Sequence, residues 1–425
     1  MTTPPGPRPR SDRRGRQLAA AWLVVRAAGI AVLAGWCGYP WVGHAVVVSR
    51  DVAEYHSWAQ QLYAGALPWH GFNVEYPPGV LAVMLLPAKT AGWFEAEFVA
   101  LALVADALVA RGLWRLHRVG LGSWLWVAVP VLLGPVMWLR LDVFVAAALV
   151  GFLVAVRERH WRAAGCCVGA ATLLKLWPVL LLVVLWRLLP GEGRRKVAGW
   201  SLGVVAAVTL PVLAWGGGSG LWWMLHYQGA RGLEVESVWA WPVLVAHYFG
   251  AATRPLPGHG GIEVPVRGWA SLLGLGLAIG VVALTVAVWR DRHRRVALES
   301  AALAGVAVVL VGSKVLSPQY VVWACAVTAI VVDAPALVGR DRRRLAVATV
   351  VLAASTQLLY PFGFWWLYFD TRAGVLAATV HALAVLGWLA VVLQVAFRST
   401  APTGPGPRAA AETPRLGSAE PVLQR

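Results

Sequence analysis

Charged residues are scarce in this chain, and the residue types that bind metals are scattered along it. Only 13% of the 425 residues are charged and 59% are hydrophobic, which is too apolar for an ordinary soluble domain. The four cysteines lie inside apolar runs without the spacing of a zinc site or a disulfide framework. No Asp-x-Asp pair occurs, and the histidines are not spaced for zinc. We therefore predict that the protein requires no metal and no cofactor.

Apolar runs long enough to suggest membrane crossings recur from Leu18 to Phe397. Lipid cannot hydrogen-bond the backbone, so only helices and closed barrels cross it, and continuous runs favour helices over alternating barrel strands. We predict an all-α polytopic membrane protein with about 11 to 13 transmembrane helices. A transmembrane domain of residues 18–397 is flanked by two tails rich in Pro, Arg, Gly or Ala, residues 1–17 and 398–425. Both tails are predicted to be disordered and cytoplasmic.

Lysine is rare as well, so arginine carries most of the formal net charge of +17. The arginines gather in short links between apolar runs, which is typical of cytoplasmic loops rather than of nucleic-acid binding. These basic clusters lie at 8–16, 111–118, 157–162, 187–196, 290–295 and 340–344. The turns between the clusters are then predicted to lie outside the cytoplasm, at 140–142, 175–178, 226–236, 314–320 and 360–372.

Two stretches break this regular alternation. Residues 77–110 should cross the membrane once, yet they contain two apolar segments, so one segment is predicted to be re-entrant or to lie flat. Residues 163–174 and 179–189 hold about a dozen residues each, against the about 20 that a crossing needs. We expect broken or shallow helices that line a cavity at these positions.

The first external loop, 44–76, is too polar to span, and a second large external loop is predicted at 216–238. In the first loop Asp51, Tyr55 and Trp58 recur at helical spacing, which predicts interfacial helices with aromatic side chains at the lipid headgroups. The loop closes with Tyr76-Pro77-Pro78-Gly79, where the prolines suit an extended approach to the first turn of a helix.

An acidic residue soon after the first helix, followed by Tyr-Pro-Pro-Gly, is similar to the GT-C membrane glycosyltransferases. Further motifs resemble family 87 of that superfamily, the actinobacterial polyprenyl-phosphate-mannose-dependent mannosyltransferases. They are Arg140-Leu141-Asp142, Leu174-Lys175-Leu176-Trp177-Pro178, Arg231-Gly232-Leu233-Glu234-Val235-Glu236-Ser237 and Lys314-Val315-Leu316-Ser317-Pro318-Gln319-Tyr320. Their order carries the resemblance more than any single motif does, and it covers nearly the whole chain between the tails.

The resemblance implies a GT-C fold and an inverting transfer of a sugar, with mannose as the first choice. The donor would be a polyprenyl-phosphate-sugar, and the acceptor a hydroxyl of a cell-envelope glycolipid or glycan at the outer face of the cell membrane. Such a transfer needs a carboxylate base, cations for the departing phosphate and an apolar groove for the lipid carrier. Mannose, arabinose or another sugar, and a phosphatidylinositol mannoside, a lipoglycan or another envelope glycan as acceptor, remain open.

Asp51 is the residue predicted to act as the general base, because its place in the first external loop matches the catalytic acidic position of the superfamily. Without that match, an acid beside Arg50 is also explained as a solvated or paired loop charge. Glu54 and Asp142 are the alternatives. Glu54 lies three residues after Asp51, near enough on a helix for the two carboxylates to raise each other's pKa.

Four residues in the outer turns are predicted to hold the phosphate, namely Lys175, Lys314, Arg231 and His226. Lysines at helix ends also snorkel to headgroups without binding any substrate, but two of only four lysines lie in these motifs. Further contacts with the substrates are predicted for Glu54, Tyr76, Arg140, Asp142, Glu236, Gln319 and Tyr320. Interfacial placement is an equally simple explanation for the tyrosines.

Two other functions compete with this one. A lipid or glycolipid transporter or flippase would also have broken helices and intramembrane charges, but the sequence has no internal repeat, and its notable polar residues occur at one face. A non-catalytic scaffold would leave the clustered acids and cations without a role. One further acid, Asp106, lies inside an apolar run, and the sequence does not identify its partner.

Overall fold

The computed structural model describes residues 10–35, 45–86, 91–265, 269–291 and 296–398. Nearly all regular structure in these ranges is helical. The helices are α1 (Arg10–Leu33), α2 (Ala45–Tyr63), α3 (Leu81–Met84), α4 (Ala91–His117), α5 (Leu121–Leu133), α6 (Asp142–Arg157), α7 (Trp161–Leu174), α8 (Val179–Leu185), α9 (Gly191–Ala214), α10 (Gly218–Ala230), α11 (Trp241–Tyr248), α12 (Trp269–Arg290), α13 (Leu298–Gly312), α14 (Val321–Val331), α15 (Gly339–Gln357), α16 (Phe364–Tyr368) and α17 (Arg372–Arg398).

Several helices have the length and composition of membrane spans. Among the described residues, four segments are long and apolar enough to cross a membrane: Arg13–Leu33, Gly191–Ala214, Gly339–Phe362 and Arg372–Arg398. Shorter apolar helices are Leu121–Met137, Trp161–Leu174, Leu275–Arg290, Leu298–Gly312 and Pro318–Val331. The all-α membrane architecture is therefore confirmed, whereas the count of 11 to 13 crossings stays a prediction.

The helices connect two chemically different ends of the bundle. Helix α6 runs from Asp142 to Arg157, and α7 returns from Trp161 to Leu174. The basic turns are joined to one another: Arg115 pairs with Glu158 at 2.8 Å. We call this the basic end. The opposite end holds the turns at 140–142, 175–178 and 313–320, and we call it the motif end.

The two stretches that break the regular alternation contain short helices. After Tyr76 the chain makes a short 3-10 turn at Pro78–Val80 and the four-residue helix α3, and it then runs through α4, which has 27 residues. Helix α3 is far too short to span, so the stretch 77–110 has one long helix rather than two. Helix α7 has 14 residues and α8 has seven; both are shorter than a normal crossing.

One predicted boundary is wrong. Residues 10–17 belong to α1 instead of a disordered tail, because arginine and glutamine are good helix formers and the helix extends through them. The predicted second external loop, 216–238, includes the helix α10, and its external location stays a prediction. Residues 1–9, residues 36–44, of which the last begins the predicted first loop, and residues 399–425 of the C-terminal tail lie outside the described residues.

The predicted interfacial helices of the first loop are represented by the single helix α2. Its aromatic stripe does not face the headgroups: the Tyr55 and Trp58 rings lie 5.9 Å from the Tyr76 ring, and Tyr55 lies 5.5 Å from Phe98. Both side chains are buried. The stripe therefore packs onto α4, since aromatic side chains gain more from burial among other rings than from an interfacial position. Asp51, on the same stripe, consequently faces inward.

A small sheet, which is not among the predicted elements, forms at the motif end from β1 (Leu233–Glu234), β2 (Leu256–Gly258) and β3 (Gly261–Val264). The strands are antiparallel in the order β1-β3-β2. The tight turn between β2 and β3 has positive φ at His259 and Gly260, a conformation that favours glycine. Arg50 reaches this turn from α2 and donates a hydrogen bond to the Gly260 carbonyl at 3.3 Å.

A buried ion pair attaches α1 to the bundle. Arg26 contacts both carboxylate oxygens of Asp106 on α4, at 2.8 and 2.9 Å, and also donates to backbone carbonyls of α5. The indoles of Trp126 and Trp138 donate to the same carboxylate at 2.7 and 3.2 Å. Only 6% of the apolar stretch of α1 is buried. The attachment of α1 to the bundle therefore depends largely on this network of polar contacts.

Replacing Asp106 with asparagine should destabilise the protein strongly, because it leaves the Arg26 guanidinium buried without a counter-charge, at a cost of about 3–5 kcal/mol. We expect the Tm of the detergent-purified protein to fall by about 5 °C or more. Glu158→Gln is the matched control, since it breaks an exposed pair worth about 1 kcal/mol or less. Equal losses of Tm in the two variants would contradict the anchoring role of Asp106.

Candidate active site

A cavity of about 940 Å³ opens at the motif end of the bundle. Its walls come from α2, α10, the three-stranded sheet, and the turns that precede α3, α6, α8, α14 and α16. The side chains that carry charge into it are Arg50, Asp51, Glu54, Glu75, Arg140, Lys175, Arg231, Glu234 and Glu236. Polar and ionic groups therefore converge where several helices end, which is the usual setting of a binding site.

The carboxylate of Asp51 is held by an arginine. Its Oδ2 atom lies 2.7 Å from Nε of Arg140, which lies in the turn before α6. Arg140 is almost fully buried, and it also donates to the Leu139 carbonyl at 3.0 Å and to the Tyr360 hydroxyl at 3.3 Å. These contacts fix the guanidinium, which in turn orients the carboxylate. The Asp51 side chain remains 23% exposed to the cavity, so a hydroxyl group can reach it.

The Tyr-Pro-Pro-Gly motif has a steric function in the site. Pro77 is extended and Pro78 begins the 3-10 turn. A Cβ atom on Gly79 would lie 2.5 Å from the backbone oxygen of Leu173, so only glycine allows the turn to abut the end of α7. This close approach brings Tyr76 beside Lys175, the residue that ends α7 in an extended conformation.

The ammonium group of Lys175 lies between aromatic faces. Its Nζ atom is 4.6 Å from the centre of the Tyr76 ring and 4.8 Å from that of Tyr320, distances that favour cation–π attraction. Tyr320 is itself stacked on Trp323, with ring centres 4.5 Å apart. The nearest carboxylate oxygen, from Asp142, is 3.9 Å away. The lysine is thus positioned firmly while its charge is only loosely paired.

Arg231 follows α10 and faces two carboxylates. Its side chain lies 3.5 Å from Glu234 and 3.9 Å from Glu263, and the Ser317 hydroxyl donates to Glu234 at 3.2 Å. Lys314 donates to the carbonyl of Arg231 at 2.8 Å. The arginine is therefore held from the strands on one side and from the turn before α14 on the other.

Carboxylates crowd the part of the cavity next to α2. Burial, followed by repulsion from Glu75 and Asp51, raises the pKa of Glu54 from 4.5 to about 7. Burial is also the main cause of the raised pKa of Glu75, whose side chain hydrogen-bonds to Tyr227. Near neutral pH, Glu54 therefore exchanges its proton, whereas Asp51 is paired with a permanent cation.

Most of the predicted residues meet in this one cavity. Those that line it are Asp51, Glu54, Tyr76, Arg140, Lys175, Arg231, Glu236, Gln319 and Tyr320. Three do not. Asp142 is only 1% exposed and lies behind Lys175. Lys314 points away, because its ammonium group donates to the carbonyls of Gly229 and Arg231. His226 is exposed on α10 and is not among the lining residues.

Sequence reasoning missed several lining residues. Glu75 directly precedes the Tyr-Pro-Pro-Gly motif, and Glu234 lies within a motif that was recognised, so proximity to those motifs was an available signal. Tyr227 and Gln228 lie on α10 beside His226 and face inward where His226 does not; Gln228 donates to the Glu75 carbonyl at 3.1 Å. His259 reaches the cavity through the hairpin of β2 and β3, for which the sequence provided no indication.

With this geometry established, the family of the chain follows from sequence comparison. A model of glycosyltransferase family 87 matches residues 74–318, which is more than half of the chain. The chain belongs to glycosyltransferase family 87. It is therefore a membrane glycosyltransferase, as the resemblance to the GT-C superfamily implied. A comparison with curated proteins gives no match.

The family membership clarifies two points about function. It gives no support to the transporter or flippase alternative. The matched residues include Lys175, Arg231 and Glu236 but begin after Asp51, so the role of Asp51 depends on the structure and on its position in the first loop. What the match assigns is the transfer of a sugar; the donor and the acceptor remain to be inferred.

The raised pKa of Glu54 predicts a pH-dependent stability difference. Because the folded protein binds this proton up to about pH 7 and the unfolded chain only up to about pH 4.5, wild-type stability falls as the pH rises through this window. Glu54→Gln does not lose stability in this way, because glutamine has no ionisable proton to release. We expect the Tm of Glu54→Gln minus that of wild type to increase from pH 5 to pH 8.

The matched control is Glu192→Gln, which removes an exposed carboxylate paired with Lys196 at the basic end. Its Tm difference from wild type should stay flat between pH 5.5 and 8. A flat difference for Glu54→Gln as well would show that Glu54 ionises at an ordinary pH in the folded protein.

Proposed function

We propose that the protein is an inverting glycosyltransferase that moves a sugar, with mannose as the first choice, from a polyprenyl-phosphate donor to a hydroxyl of a cell-envelope glycolipid or glycan. The reaction would take place at the outer face of the cell membrane. The observation that carries this proposal is the presence, in one cavity, of an oriented carboxylate at Asp51 and of cations at Lys175 and Arg231. A base and a phosphate-binding group are the two chemical requirements of the transfer.

In the proposed reaction, the acceptor hydroxyl loses its proton to Asp51 while its oxygen bonds to the anomeric carbon of the sugar. The bond from that carbon to the phosphate oxygen breaks, and its electron pair leaves with the polyprenyl phosphate. Attack from the face opposite the leaving group inverts the anomeric configuration. Lys175 and Arg231 would stabilise the negative charge that accumulates on the phosphate, which is where a fixed cation lowers the barrier most.

Asp51 is preferred over the other carboxylates for the proton transfer. Arg140 fixes its orientation, and its side chain stays accessible from the cavity. Asp142 is buried against Lys175, and Glu234 is engaged by Arg231 and Ser317. Glu54, the other alternative from the sequence, lines the same cavity and is a competitor, since its pKa of about 7 also suits a base.

The lipid carrier needs an apolar path into the cavity. Leu277, Val309 and Phe364 line it, together with the indole of Trp365. These residues belong to α12, α13 and α16, whose apolar composition suits contact with lipid. A polyprenyl chain could lie along this side while its phosphate reaches Lys175. The positive-inside rule favours a cytoplasmic basic end, and this supports a location of the cavity at the opposite face of the membrane.

Asp51→Asn should lower the transfer rate by about 10²- to 10⁴-fold, because the amide cannot accept the acceptor proton. The measurement is the formation of labelled product from radiolabelled polyprenyl-phosphate-mannose by purified protein with actinobacterial envelope lipids as acceptors. Asp341→Asn, at the exposed basic end, controls for expression and folding. Wild-type activity in Asp51→Asn would refute the assignment of the base, and loss of activity in Glu54→Gln alone would transfer that role to Glu54.

Lys175→Met should raise the KM for the polyprenyl-phosphate donor by about 10- to 100-fold, because a hydrogen bond to a charged group contributes about 1.5–3 kcal/mol. The methionine preserves the length of the side chain between the two tyrosine rings. Lys196→Met is the matched control, since Lys196 is exposed and pairs with Glu192 far from the cavity. Donor saturation curves for the two variants provide the test. An unchanged KM in Lys175→Met would place the phosphate elsewhere.

A further inference from the structure

One acidic side chain in the cavity is not explained by the proposed chemistry. Glu236 lines the cavity, yet it is only 8% exposed, and its Oε2 atom has no hydrogen-bond partner among the described residues. Its neighbours are paired: Asp51 with Arg140, and Glu234 with Arg231 and Ser317. Leaving a buried polar atom unpaired costs about 1–3 kcal/mol, so this oxygen is a candidate for contact with a ligand.

The backbone holds Glu236 rigidly from both sides. The amide of Val235 donates to the Ile262 carbonyl of β3 at 3.0 Å. The hydroxyl of Ser237 donates to the Ser313 carbonyl at 2.9 Å. Because both flanking residues are fixed, the Cα atom of Glu236 keeps its position, and its carboxyl group can move only by rotation of the side chain within a buried space. The direction from which this side chain enters the cavity is therefore set before any substrate arrives, which favours specific binding.

The charges around Glu236 favour its protonated form. Arg231 is the cation nearby, but Glu234 and Glu263 already face it. Burial, followed by repulsion from Glu234, raises the pKa of Glu236 well above its ordinary range, and Arg231 offsets this only in part. A neutral carboxyl group has both a donor O–H and an acceptor oxygen, the same combination that a sugar hydroxyl presents.

The location of Glu236 indicates which substrate group it meets. Glu236 lines the same cavity as Asp51, Arg231 and Tyr360, and Tyr360 accepts a hydrogen bond from Arg140, the partner of Asp51. Glu236 therefore shares the cavity with the proposed base and with a proposed phosphate-binding cation. In the proposed reaction the ring of the donor sugar must occupy this cavity, because its anomeric carbon lies between the attacking and the leaving oxygens.

We propose that Glu236 hydrogen-bonds to a hydroxyl group of the donor sugar and thereby selects which sugar is transferred; this inference rests on the proposed function. A neutral acid suits a hydroxyl better than the phosphate, which cations bind more strongly. A site that hydrogen-bonds a substrate hydroxyl rejects analogues without it, because the protein group is then left unpaired. Glu236 would act as a specificity-determining residue.

The test compares polyprenyl-phosphate-mannose with its 2-, 3-, 4- and 6-deoxy forms as donors for wild type, Glu236→Leu and Glu236→Gln. Wild type should lose at least about 10-fold in kcat/KM on one deoxy donor. On the mannose donor, kcat/KM of Glu236→Leu should be lower than that of wild type by a similar factor. On that same deoxy donor the variant should show little further loss of kcat/KM, since the mutation and the missing hydroxyl each remove the same contact. Glu236→Gln, which also donates and accepts, should retain most of the activity and the same preference.

The outcomes separate this inference from the function on which it rests. Wild type that transfers nothing from any of these donors would refute the proposed function. In a second outcome, wild type is active while kcat/KM of Glu236→Leu falls by the same factor on every donor, or does not fall at all. In either case Glu236 does not hydrogen-bond to a hydroxyl of the donor sugar. A loss in Glu236→Gln as large as in Glu236→Leu would refute the role of a neutral acid. Glu236→Ala replaces the leucine variant if that one does not fold, and Glu192→Gln is the control for removal of a carboxylate.

Discussion

A charged side chain that is buried away from water needs an opposite charge or hydrogen-bonding groups nearby. This requirement governs both the packing of the helices and the form of the cavity. In the interior of the bundle, the Asp106 carboxylate accepts hydrogen bonds from Arg26 and from the indoles of Trp22, Trp126 and Trp138, which compensate its charge. That compensation joins α1 to α4 and α5, although α1 contributes little buried apolar surface. Where the helices end, the same requirement joins Asp51 to Arg140. The first pair attaches α1 to the bundle, and the second orients the carboxylate that we propose as the base.

The cavity exists because helices are interrupted at the motif end. Lys175 leaves α7 in an extended conformation before α8 begins after Pro178, and Tyr76 precedes a turn that fits only because Gly79 has no side chain. Non-helical backbone at membrane depth is tolerated where protein or a polar cavity satisfies it. The interruptions thus bring charged residues together and also give them a polar space, which continuous helices would fill with apolar side chains.

The sequence predicts those features of the protein that depend on local patterns. Apolar runs identify the helices, basic clusters separate the two ends, and motifs locate Asp51, Lys175 and Arg231 at one of them. Long-range pairing could not be read in this way. The partner of Asp106 lies 80 positions away on α1, and β1 pairs with β3, which has only four residues and is too short to predict a strand reliably. For the same reason the sequence did not indicate that Lys314 is engaged by the carbonyls of Gly229 and Arg231.

The different degrees of pairing in the cavity give its cations different roles. Arg140 is committed to Asp51 and Tyr360, and Arg231 is shared between Glu234 and Glu263. Lys175 has its nearest carboxylate oxygen at 3.9 Å, and otherwise lies over aromatic rings, which attract a cation without neutralising it. At Lys175 an incoming phosphate would meet little competition from carboxylates. To bind Arg231 it would have to displace a carboxylate. A donor with a single phosphate suits this arrangement, because one loosely paired cation compensates most of the charge that such a leaving group develops.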